Sequence, residues 1–133
     1  FIDIVPYDCF RINFTSINPH PMLGVQFRDT TITKESYVRD ISFARTIAFT
    51  EELEMLKKLG LGKGGTIENV VVYDKTSCLS VPRCDDELVR HKVLDIIGDL
   101  SLLGRPVRGH IIAVKSSHKL NNLLTHKIFE EMQ

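Results

Sequence analysis

The sequence lacks a net charge. Lysine and arginine together number 17, and so do aspartate and glutamate. A nucleic-acid binder usually carries a basic surplus, and that class loses its compositional support here. No apolar run approaches the roughly 20 residues that cross a bilayer as a helix. Cysteine is scarce, with Cys9, Cys78 and Cys84 only. An odd count argues against a disulfide framework, and the gap between Cys78 and Cys84 is wider than the spacing of a zinc knuckle. Three reduced thiols in a cytoplasmic protein are expected, and in that setting the sequon Asn13-Phe14-Thr15 carries no meaning. A basic and then apolar leader is missing as well. The chain opens on strand-like sequence at Phe1 without an initiator Met, which reads as a fragment or a processed chain. Internal repeats and low-complexity linkers are absent. What is there is ordinary for a soluble globular protein, 43% apolar and 26% charged over 133 residues, enough for one domain with a sizeable core.

Local patterns then divide the chain. Phe10, Ile12 and Phe14 alternate with polar residues, as in a half-buried strand, and Asn18-Pro19-His20-Pro21 marks a turn. Gly24–Phe27, Thr30–Thr33 and Ser36–Ile41 read as further strands. Thr50 suits an N-cap, with Glu51 and Glu52 in the first turn where the helix dipole favours acids. Leu53, Met55, Leu56 and Leu59 supply an apolar face, and Gly60 stands where a helix commonly ends in positive φ. A strand over Ile67–Tyr73, a main helix from about Asp86 to Leu103, a strand over Val107–Val114 and a last helix from about Leu120 follow. This order predicts an α+β fold: a two-layer sandwich with a mixed or antiparallel sheet, helices packed on one face, and a β-α-β insert at 46–73.

The main helix carries the first chemical signal. At about 100° per residue from His91, Asp95 falls near 40°, Asp99 near 80° and Lys92 near 100°, with Gly98 on the other side of His91. Val89, Val93, Leu94, Ile96, Ile97, Leu100 and Leu103 fill the remaining arc. His91 and Asp95 therefore point the same way one turn apart, a spacing that lets an imidazole nitrogen and a carboxylate oxygen reach one Zn²⁺. The same spacing also describes a solvated face with an i,i+4 ion pair. The second signal is Lys115-Ser116-Ser117-His118, a turn from strand to helix at the sheet rim. Paired with a free aspartate such as Asp99, His118 would be a tuned acid. The glycines of Gly60–Gly65 do not make a phosphate loop, because they lead from helix to strand and present no helix N-terminus to an anion.

Five segments in order carry a family resemblance: His20-Pro21 with Gly24, Ala44-Arg45-Thr46, the stretch GLGKGGTIEN from Gly60 to Asn69, the string ELVRHKVLDIIGDL from Glu87 to Leu100, and Lys115 to Asn122. Together they resemble the C-terminal domain of the UDP-3-O-acyl-N-acetylglucosamine deacetylases, the LpxC family of zinc amidases in lipid A synthesis. The resemblance implies that His91 and Asp95 are two of three protein zinc ligands. The third, a histidine, and the general-base glutamate would lie in an N-terminal domain this chain lacks. It further implies that Thr46 supports the oxyanion, that His118 is the positively charged general acid oriented by Asp99, and that Lys92 and Lys115 face the sugar-nucleotide. Phe49, Leu53, Gly65, Thr66, Asn69 and Val72 would line a passage for the acyl chain of the substrate.

Ile47-Ala48 stands where the family has Phe-Gly, Ser117 where it has glycine, and Asn18 where it has an aromatic. The loop Ser80-Val81-Pro82-Arg83-Cys84 keeps the arginine and loses its usual neighbours. These departures motivate the alternative of a binding domain that keeps the fold without the activity. A missing partner domain would also leave the polar face of the main helix at an open cleft, so the isolated chain is expected to self-associate.

Overall fold

The computed structural model describes residues 1–61 and 68–133. Strands β1 (Ile2–Val5), β2 (Phe10–Asn18), β3 (Gly24–Thr31) and β6 (Gly109–Val114) form a mixed sheet in the order β1-β6-β2-β3. Its central pair, β2 and β6, is parallel, with Ile12 opposite Ile111. Both flanking pairs are antiparallel. The expected alternation holds along β2, where Ile12, Phe14 and Ser16 turn inward.

Against that inner face lies helix α3 (Glu87–Leu100). Its Val89, Val93, Ile96 and Leu100 pack with Ile12, Phe14, Ile41, Ile111 and Ala113 as one core, and Leu124 of helix α4 (His118–Glu131) joins the margin. Each large apolar side chain so buried contributes roughly 1.5–3 kcal/mol. The apolar arc read from the sequence is thus the face that packs, and the arc holding His91, Asp95 and Asp99 is left for other work. The helix tightens into a 3₁₀ turn over Ser101–Leu103 and stops at Gly104, whose φ of 68° is left-handed. This is the two-layer α+β sandwich expected, with the helices on one face.

A smaller unit consists of β4 (Thr46–Phe49), helix α2 (Thr50–Lys58) and β5 (Val70–Tyr73), with β4 and β5 parallel. It attaches through Val71 and Tyr73, which pack with Leu23 and Leu88. Helix α2 buries no residue fully, and Met55 and Leu59 are 64% and 65% exposed. Gly60 does close the turn after it with φ 70°.

Three details differ from the sequence reading. Gly24–Phe27 and the start of Thr30–Thr33 belong to one strand, β3, which ends at Thr31. Ser36–Ile41 is not a strand. A short helix α1 (Lys34–Ser36) runs into a π turn over Tyr37–Ile41. Thr33 decides this: its hydroxyl accepts from the Ser36 N–H at 3.0 Å while its own N–H donates to the Ser36 hydroxyl at 2.9 Å. That reciprocal capping box nucleates a helix despite the β-prone residues that follow. Thr50 is the first helical residue, not the N-cap, and Phe49 precedes the helix with no side-chain cap.

Candidate active site

Helix α3 presents His91, Asp95 and Asp99 at successive turns along one edge, and the N-terminus of α4 brings His118 over them. The Nδ1 of His91 donates to the Ala44 carbonyl at 3.0 Å, which fixes the ring and turns Nε2 toward Asp95 Oδ1, 3.2 Å away. A neutral His91 so anchored would set a lone pair against a carboxylate. A proton on Nε2 relieves that clash, and so does a cation between the two atoms. Burial alone would lower the His91 pKa, but the Asp95 carboxylate and the Ala44 carbonyl outweigh it and hold the imidazole above its ordinary value. This donor set, an oriented imidazole and a carboxylate, fits two corners of a zinc site, with the backbone carbonyl as the partner that selects the ligating nitrogen. Among the described residues no group of three or more His, Cys, Asp or Glu gathers to hold a metal ion.

His118 is 66% exposed at its side chain. Its Nδ1 hydrogen-bonds Asp99 Oδ2 at 2.8 Å, and its Nε2 lies 3.8 Å from Asp95 Oδ1. One carboxylate oxygen of Asp95 therefore stands between the Nε2 atoms of the two histidines. The pairing of His118 with Asp99 is the one anticipated from the sequence. Ser117 adopts extended backbone (φ −134°, ψ 169°) that any residue takes, and its hydroxyl caps α4 by accepting from the Leu120 N–H at 3.4 Å. The backbone strain sits two residues earlier: Lys115 has φ 52°, a left-handed conformation that costs a residue with a Cβ roughly 1–2 kcal/mol.

Lys92 and Lys115 line one cavity of about 210 Å³ with Asn18, Ile47, Leu88 and Ser116. Thr46 opens β4 with an exposed side chain, two residues from the carbonyl that orients His91. Phe49 ends β4, its ring 5.9 Å from His20 and 6.2 Å from Tyr73. Leu53 is half-buried on α2, Val72 is half-buried on β5, and Asn69 is exposed just before β5. Gly65 and Thr66 lie outside the described residues. His20, which belongs to the matching segments, is a satisfied structural residue. Its Nδ1 accepts from the Met22 N–H at 3.1 Å and its Nε2 donates to the Asp74 carbonyl at 2.7 Å.

Two supporting groups escaped the sequence reading. Glu87, 3% exposed, accepts from the Arg45 backbone N–H and Nε at 2.9 Å each, and from the Arg83 N–H at 2.7 Å. It ties the segment holding Ala44 and Thr46 to the first turn of α3. Burial alone would raise the Glu87 carboxyl, but these donors hold it below its ordinary value. The second is Asn121, 1% exposed, which donates to Asp99. A glutamate in a first helical turn and an asparagine in a helix both look like surface residues, so neither announced its burial.

The α+β sandwich thus presents an oriented imidazole–carboxylate pair beside a histidine–aspartate pair along one edge of α3. The profile of the LpxC family, described as UDP-3-O-acyl N-acetylglycosamine deacetylase, matches residues 1–130, and the chain belongs to that family. Among curated relatives, the UDP-3-O-acyl-N-acetylglucosamine deacetylase of Chlamydia felis is 45% identical over all of this chain and 49% of its own length. Those of Myxococcus xanthus and Aliarcobacter butzleri are 43% and 45% identical over 96% and 97% of the chain, which cover 41% and 42% of their own lengths. The chain thus spans less than half the length of these relatives.

Proposed function

We propose that this chain supplies the His91, Asp95 and His118 half of a zinc-dependent deacetylase that hydrolyses the N-acetyl amide of UDP-3-O-(3-hydroxyacyl)-N-acetylglucosamine in lipid A synthesis. The observation that carries this is the fixed direction of His91 Nε2 toward Asp95, with His118 Nε2 approaching the same carboxylate oxygen. His91 and Asp95 would hold zinc, with a third protein ligand and the general-base glutamate from an N-terminal domain outside this chain. Zinc, when bound, supplies a Lewis acid for the amide carbonyl and an acidified water.

The remaining work falls to side chains. Asp99 on Nδ1 orients the His118 ring and balances its positive charge, so the proton available for transfer sits on Nε2. As water adds to the carbonyl and the C–N bond breaks, that proton goes to the departing sugar amine, and acetate is released. Thr46 would donate to the developing oxyanion. Lys92 and Lys115, at one cavity, would bind the sugar-nucleotide. The β4–α2–β5 unit, with Phe49, Leu53, Asn69 and Val72, would line the acyl-chain passage, along with Gly65 and Thr66. No described helix is long and apolar enough to cross a membrane, and a cytoplasmic setting accords with the free cysteines.

In the full-length gene product, His91→Ala should abolish both stoichiometric zinc and acetate release from the substrate. Undiminished turnover in that variant would overturn the assignment.

A further inference from the structure

We propose that Asn121 is a positioning residue for the His118–Asp99 pair, an inference that rests on the deacetylase reading above. The His118 side chain is 66% exposed, so packing does little to hold the ring and its direction is inherited from Asp99. Asp99 is in turn pinned from below. Its Oδ2 accepts two donors, His118 Nδ1 at 2.8 Å and Asn121 Nδ2 at 3.0 Å.

Asn121 has no freedom of its own. It is 1% exposed, its Oδ1 accepts from the Ser116 hydroxyl at 2.6 Å, and its carbonyl accepts from the Thr125 hydroxyl at 2.8 Å. The orientation of its amide follows from chemistry: a carboxylate only accepts, so the NH₂ end must face Asp99 and the oxygen must face Ser116. Ser116, also buried, follows Lys115 in the strained turn. A chain of hydrogen bonds thus runs from the β6–α4 turn through Asn121 to Asp99 and out to His118. It fixes which carboxylate oxygen meets the imidazole, and hence where Nε2 points. Partners that orient a working side chain in this way are worth about 10–100-fold in activity.

The test is a double-mutant cycle on kcat in the full-length enzyme. Asn121→Leu fills the site and removes the amide. It should lower kcat about 10–100-fold and leave KM within about twofold. In an Asp99→Ala background the same substitution should change kcat by less than about twofold. Equal losses in both backgrounds would mean a merely structural role and overturn the proposal, as would an unchanged kcat in the single variant. Should Asn121→Leu not fold, Ser116→Ala removes the hydroxyl that orients the amide and should lower kcat about 3–10-fold with the same dependence on Asp99. No loss there would also overturn it. Failure of the underlying reading looks different: the unsubstituted enzyme would itself release no acetate, and both would fall together.

Discussion

Glu87 carries a charge into the interior at the first turn of α3, where Arg45 and two backbone N–H groups meet it. Removing one partner of such a pair leaves the other buried and uncompensated. Glu87→Gln should therefore cost about 3 kcal/mol, read as a lower urea midpoint at neutral pH. The pH dependence follows in sign. The folded-state pKa lies below the ordinary value of 4.5, so the contribution is fully present above that value and is lost as pH falls through the lower, folded one. The stability gap between wild type and Glu87→Gln should narrow on acidification below about pH 4.5. A gap that stays constant across that range would contradict the charge argument. Lys115 offers the opposite case. Lys115→Gly relieves the left-handed strain and should raise stability by up to about 1 kcal/mol. The same change removes an ammonium from the cavity shared with Lys92, so KM should rise while kcat changes less. Thermal melts and steady-state kinetics on the full-length enzyme would separate the two effects.

At the scale of elements, the capping box of α1 shows how a local bond overrides propensity. Tyr37, Val38 and Ile41 are residue types that favour strands, and the run from Ser36 reads as one on that propensity. Two side-chain bonds between Thr33 and Ser36 outweigh that pattern. Thr33→Ala should cost about 1 kcal/mol and raise amide exchange over Lys34–Ile41 first, because the first turn loses its acceptor. Exchange spread evenly over the chain would argue that the cap is incidental. In α3 the sequence was enough. Its apolar arc had a single solution against the sheet, and the opposite arc therefore had to hold His91, Asp95 and Asp99 together. Leu102, which helical periodicity would place beside the polar arc, is 77% exposed, in keeping with its place in the 3₁₀ turn after the helix has ended.

Across the whole molecule, exposed apolar side chains gather beside the site helices. Leu102, Leu123 and Phe129 are all at least 47% exposed, and Leu102 and Phe129 line one groove of about 340 Å³. Surfaces of this kind promote association. The 133-residue chain expressed alone should run as a concentration-dependent dimer or larger species in light scattering, and a clean monomer at high concentration would contradict this. On the proposed assignment zinc should bind it weakly, since two protein ligands would leave half the coordination sphere to solvent. Titration against a competing chelator, alongside the full-length protein, measures the difference.

The sequence determined the α+β class, the inward face of β2 and α3, the common face of His91, Asp95 and Asp99, and the family. All of these depend on periodicity or on residue strings, which are local. Tertiary structure decided that the Ala44 carbonyl holds His91 Nδ1 and leaves Nε2 toward Asp95, that Lys92 and Lys115 share one cavity, and that Glu87 and Asn121 are buried supports. Each of those pairs residues from separate elements, such as 44 with 91 and 99 with 121, and helical or strand periodicity carries no information about which elements meet. The His118–Asp99 pair lies between the two cases. Chemistry nominated the partners from the sequence, and the packing of α4 against α3 brought them within a hydrogen bond.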